Sequence, residues 1–171
     1  MSAKKSETEK FMGTPLEKES FEDGSVILTE WEPKLWYSWS TGKVVGKFLS
    51  ELKAGKIAAI KCDSCKRTLI PPRMFCEICF SELKDWVYVK DTGKVNTFVI
   101  SKIATDRSPL KEPKIAAVID IDGSDGGILH MLGEVNPDDV KIGMKVQAVW
   151  KSQYERRGEI TDIKYFKPIG D

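Results

Sequence analysis

Three observations predict an α+β chain with N-terminal helices, a zinc ribbon and a C-terminal barrel of the OB-fold type. Apolar residues recur at helical spacing before Gly55. The only four cysteines fall into two Cys-x-x-Cys pairs, Cys62/Cys65 and Cys76/Cys79. Five or six short alternating segments then follow, punctuated by glycine and proline turns. That many short strands suit a small closed barrel better than an open sandwich.

Composition narrows the classes. The chain has 171 residues and is 41% apolar, enough to build a core. Its 27 basic and 26 acidic residues nearly cancel, with a formal net charge of +1. Nucleic-acid binders usually carry a clear basic excess, so no specific nucleic-acid partner is expected. No apolar run reaches the length of a membrane span, and no membrane partner is expected. The polar start has no signal-peptide core, so reduced cysteines and a cytoplasmic location are expected.

Residues 1–24 are rich in lysine and glutamate, with Phe11, Leu16 and Phe21 isolated, and read as a mobile arm. Residues 25–55 form a helical segment after the short extended run Ser25–Thr29. Pro33 suits the first turn of one helix, because its missing N–H is not needed there. Thr41-Gly42 breaks it. A second helix spans roughly Lys43–Ala54, with Val44, Val45, Phe48, Leu49 and Leu52 on one face and Gly55 as the C-terminal cap. Trp31, Trp36, Tyr37 and Trp39 crowd the same segment. They are either a small core or an apolar surface for a ligand or partner.

Residues 56–84 form the ribbon. Ten residues separate the two cysteine pairs. Each pair offers two thiolates from a tight turn, and a short hairpin through Pro71-Pro72 brings the pairs together. Two facing pairs do not match a single-pair redox site, and disulfides do not match the expected compartment. Cys62, Cys65, Cys76 and Cys79 are therefore the metal ligands. Zinc is the commoner occupant, and iron also accepts four thiolates. Such a site has no open coordination position, so it is architectural.

Residues 85–171 form the barrel. Its strands are read at Trp86–Lys90, Val95–Ile103, Ile115–Ile121, Gly127–Leu132, Lys145–Trp150 and Ile160–Phe166. Asp91–Lys94 reads as a turn, and Arg107–Pro113 as a proline-marked loop. Asn136 caps a helical turn begun by Pro137. Asp120, Asp122 and Asp125 surround a glycine-rich turn without a calcium-loop ligand series, and read as a solvated turn. The single histidine, His130, lies in a strand and reads as structural. With every thiol committed to metal, no catalytic residue is assigned.

The order of helices, four-cysteine ribbon and small barrel resembles the family of rubredoxin-like zinc ribbon plus OB-fold proteins associated with acyl-CoA. That archaeal and bacterial family was long classed as a domain of unknown function. The resemblance runs from about Trp36 to Phe166. It is carried by Phe48-Leu49, Leu52, Gly55-Lys56, the two cysteine pairs, Pro71-Pro72-Arg73, Gly42, Gly93 and Ile142–Val146. Lys66 stands where the family often has glycine, and Glu77 where proline is common.

The resemblance implies a non-catalytic accessory or scaffold protein that binds acyl-CoA beside a thiolase or hydroxymethylglutaryl-CoA synthase type of enzyme. Residue type, not the ribbon motif, suggests the acyl-CoA contacts: Trp36, Tyr37, Trp39 and Phe48 for the apolar arm, and Arg73, Arg107, Lys111 and Lys114 for phosphates. The competing class is a nucleic-acid-binding ribbon/OB-fold module. It would want exposed aromatics and basic neighbours on the barrel face, whereas most tryptophans here precede the ribbon.

Overall fold

The computed structural model describes residues 19–24, 26, 35–104 and 108–170. The chain divides into two units, 1–39 and 40–171. In the first, Glu19–Glu22 forms one helical turn, α1. Most of the expected arm, the extended run at 25–29 and the helix start at Pro33 lie outside the described residues. Residues 35–39, expected to continue that first helix, have no regular structure. Among the described residues, one helix of several turns stands in this segment.

That helix is α2, Gly42–Lys53. It buries Phe48 and Leu52, while Val45 points away from the core at 44% exposed. Each buried side chain contributes roughly 1.5–3 kcal/mol. The helix stops at Gly55, whose φ of +76° suits a residue without a Cβ and lets its N–H bond to the Leu52 carbonyl at 2.9 Å.

Strand β1, Ile57–Cys62, pairs antiparallel with β2, Arg67–Leu69, and with β3, Asp85–Val89, in a three-stranded sheet. It explains its own composition. Ile57 and Ala59 enter the large core with Phe48 and Leu52, and Ile60 and Cys62 enter a second core with Leu69, Cys76 and Leu83. Alternate residues of a strand face opposite ways, so a strand between two cores must be apolar on both faces.

Strand β3 was expected in the barrel and instead completes the ribbon's sheet. The barrel proper uses β4 (Thr92–Ile103), β5 (Pro109–Ile121), β6 (Gly127–Leu132), β7 (Lys145–Trp150) and β8 (Ile163–Pro168). Their order is β4-β5-β6-β8-β7, closed by β7 pairing with β4. Only β6 and β8 run parallel. This is the OB-fold order. Strand β4 pairs with β5 on one side and β7 on the other, and an extra residue, Asn96, between its pairs Val95–Ile119 and Thr97–Val118 bends it. The expected turn at 91–94 is already strand from Thr92, and the expected loop at 107–113 is strand from Pro109.

The glycine-rich turn between β5 and β6 has Gly123 and Asp125 exposed, as its composition suggests, and it also fastens the barrel to the ribbon. The Thr68 N–H donates to Asp125 Oδ2 at 2.7 Å, and the Asp125 N–H donates to the Thr68 carbonyl at 2.7 Å. Gly126 lies so close to the Ile70 carbonyl that a Cβ there would collide with it. Asp122 accepts from Thr92, and Asp120 from Asn96.

Candidate functional site

Two knuckles build the cysteine cluster. The first follows β1 and leads into β2; the second lies between the Pro71-Pro72 stretch and β3. In the first, the Cys65 N–H donates to Cys62 Sγ at 3.4 Å, as a turn wrapped round a thiolate does. The residue after each second cysteine is left-handed: Lys66 at φ +56° and Phe80 at φ +57°. That conformation belongs to glycine, and costs other residues about 1 kcal/mol. The departure from glycine at Lys66 therefore changes the residue and keeps the backbone geometry.

The four Sγ atoms lie within 4.8 Å of one another. Cys62 and Cys79 are 3.5 Å apart, and Cys65 and Cys76 are 3.8 Å apart. A tetrahedral site with metal–sulfur bonds of about 2.3 Å places its sulfurs roughly 3.8 Å apart, so the donor set fits one ion. The thiols cannot share this space as neighbouring anions. A hydrogen bond with Cys79, then burial, pushes Cys65 up to about 12, whereas bonds to Ser81 hold Cys79 at about 6. A bound dication would compensate the charge of four thiolates and hold the knuckles together.

Around the second knuckle, Glu77 accepts from Arg67 at 2.6 Å and pairs with Arg73 at 3.3 Å. Its carboxyl is held low by its own backbone N–H, then by Arg67. Arg67 also donates to the Asp125 carbonyl at 3.4 Å. Glu77, in place of proline, thus ties the knuckle to the ribbon hairpin. Met74, Phe75, Ile78 and Phe80 all remain exposed, Phe80 at 77%.

The residues expected to contact acyl-CoA fall in both units of the chain, Trp36, Tyr37 and Trp39 in the first and the others in the second. Trp36 is 95% exposed, and Tyr37 and Trp39 meet edge to face at 6.5 Å. Phe48 is a core residue at 5% exposed, because it is the anchor of α2. Arg73 is engaged by Glu77. Arg107 lies outside the described residues. Lys111 sits on β5 where pairing is irregular, and Lys114 lines an open cavity of about 360 Å³ with Ile115, Met131, Leu132 and Val135. His130 accepts at Nδ1 from the Met131 N–H, and its Nε2 lies 3.2 Å from the Ile160 carbonyl, so both ring nitrogens serve the backbone. Among the described residues, no helix is long and apolar enough to cross a membrane.

Sequence reading missed a second constellation, in the segment joining β7 to β8. Asp162 is fully buried and accepts backbone N–H bonds from Arg157, Gly158 and Glu159 at 2.9, 2.7 and 3.2 Å. Burial pushes its pKa up, but the three donors together hold it below the ordinary aspartate value. An acid immediately before a strand gives no periodic signal, so only its position among Gly158 and Thr161 could have hinted at a turn.

Comparison with known proteins places an OB-fold match that begins within β3 and runs through β7 of the barrel. Residues 86–151 match the model described as the ChsH2 C-terminal OB-fold domain. A DUF35 domain-containing scaffold protein of Methanocaldococcus jannaschii is 29% identical over 120 residues, covering 66% of this chain and 82% of the relative. An Ltp2-ChsH2(DUF35) aldolase structure shares the fold, with a TM-score of 0.52 at 20% identity, covering 71% of this chain and 91% of that one. A DUF35 protein of unknown function from Sulfolobus solfataricus has a TM-score of 0.57 and covers 64% of this chain. At 30% identity over 79% of that Sulfolobus protein, the chain belongs to the DUF35 family.

Proposed function

We propose that this protein is a non-catalytic accessory subunit that docks on a thiolase-like or hydroxymethylglutaryl-CoA synthase-like enzyme and helps it hold an acyl-CoA. Zinc in the four-thiolate centre keeps the docking face in shape, in a cytoplasmic setting where the thiols stay reduced. Relatives support the reading: one is described as a scaffold protein, and another is the DUF35 part of an aldolase.

Phe80 carries it. A bulky residue in a left-handed conformation is strained, and Phe80 gains no burial in return, being 77% exposed. With Ile78, Met74 and Phe75 it leaves four large apolar side chains exposed around one knuckle. A residue that strains its own chain and faces solvent is explained by a contact outside the chain, and aromatic side chains dominate such contacts. The exposed Trp36, Tyr37 and Trp39 offer further apolar surface for the arm of the ligand.

Glycine at position 66 or 80 separates strain from docking. Lys66→Gly and Phe80→Gly are each expected to raise stability by about 1 kcal/mol in denaturant melts. Only Phe80→Gly should weaken capture of the acyl-CoA enzyme from the native cell, by at least about tenfold. Undiminished capture of that enzyme by Phe80→Gly and by Ile78→Ser would remove the docking face.

A further inference from the structure

The segment between β7 and β8 encloses an open cavity of about 410 Å³ lined by Lys151, Tyr154, Glu155, Arg157, Glu159 and Lys164. Its two carboxylates are occupied locally. Ser152 donates to Glu155 through its N–H at 3.2 Å and its hydroxyl at 2.6 Å, and Thr161 donates to Glu159 at 3.0 Å. The cations are less committed. Lys151 makes one side-chain hydrogen bond, to the Thr161 hydroxyl at 3.4 Å, and neither Arg157 nor Lys164 makes a salt bridge among the described residues, although Lys164 and Lys151 lie near enough to Glu155 to help hold its carboxyl low.

Tyr154 stands beside them at 99% exposed, with both ring faces open. The backbone beneath is held in place. Asp162 gathers three consecutive N–H groups, and Arg156 donates to the Lys151 carbonyl while its guanidinium lies over Trp150. A fixed loop carrying three available cations and one open aromatic face has the elements that recognise a base joined to phosphates.

We infer that this cavity binds the adenine nucleotide end of a phosphorylated ligand, with Tyr154 stacking on the base and Lys151, Arg157 and Lys164 holding the phosphates. It rests on the accessory reading only in taking CoA as the source of that nucleotide.

The test is calorimetric titration of the full chain with adenosine 3′,5′-bisphosphate, with CoA and with inorganic pyrophosphate. The bisphosphate and CoA should bind, and pyrophosphate should compete. Tyr154→Ala should weaken the bisphosphate roughly tenfold and change pyrophosphate by less than about twofold. Arg157→Gln combined with Lys164→Gln should weaken all three about tenfold or more. These side chains bear on the surface, and unchanged melting curves will show that the variants fold.

No binding by the wild-type chain, or equal binding by the variants, would overturn the site. So would tighter binding of single-stranded DNA that is lost in the same variants, which would make the cavity a nucleic-acid surface. Capture of the acyl-CoA enzyme is read separately through Phe80. Bisphosphate binding without capture would sink the accessory reading and leave the site. Capture without bisphosphate binding would do the reverse.

Discussion

Removing the metal is expected to collapse the ribbon and to destabilise the barrel with it. The ribbon core is small, with Ile60, Cys62, Leu69, Cys76 and Leu83, and two of those five residues belong to the four-cysteine cluster. So little apolar burial cannot offset the entropy of ordering the two knuckles. In zinc-finger peptides the metal contributes on the order of 10 kcal/mol or more to folding. Here the loss should spread, because β1 carries Cys62 on one face and Ile57 and Ala59 of the large core on the other. Chelation, or Cys65→Ser, should lower the melting temperature by at least about 10 °C and abolish the near-UV signal of the ribbon. Metal analysis before chelation should find about one ion per chain. A metal-free chain with all four cysteines replaced by serine that melts like the wild type would refute the centre.

Asp162→Ala is expected to cost about 2–4 kcal/mol, since it leaves three backbone N–H donors gathered round a buried carboxylate without their acceptor. Asp162→Asn, which keeps one carbonyl oxygen, should cost less. The pH dependence has a definite sign. Because the folded pKa lies below the unfolded value of about 3.9, the stabilisation is complete above that value. It is lost as pH falls through the folded pKa. Denaturant melts from pH 6 down to about pH 2 should show the variant converging on the wild type at the acid end.

Local chemistry written in consecutive residues was legible in the sequence. The cysteine spacing located the four-cysteine cluster, the apolar spacing located α2 on Phe48 and Leu52, and Gly55 ended it. Asn136 does cap its turn, accepting from the Asp138 N–H at 3.2 Å. Gly127–Leu132 and Lys145–Trp150 appear as strands with the expected ends. Pairing was not legible. Trp86–Val89 alternates like any barrel strand, and only the partner β1, more than twenty residues earlier, assigns it to the ribbon. The turn at 122–127 hides its fastening role because its anchor, Thr68, is remote in sequence. Phe48 fits an aromatic cluster by residue type, but helix phase turns it into the core beside Leu52. The left-handed Lys66 and Phe80 were hidden because neither residue is one that favours that geometry.

In the role proposed for it, this chain assists an acyl-CoA enzyme without catalysing the reaction. That role is tested most directly by turnover of the acyl-CoA substrate with the partner enzyme alone, this protein alone, and the two together. The expected result is no turnover by this protein alone, and a rise in the partner's rate or acyl-CoA affinity on mixing that Phe80→Gly abolishes. Robust turnover by this protein alone, or a partner indifferent to its presence, would contradict it.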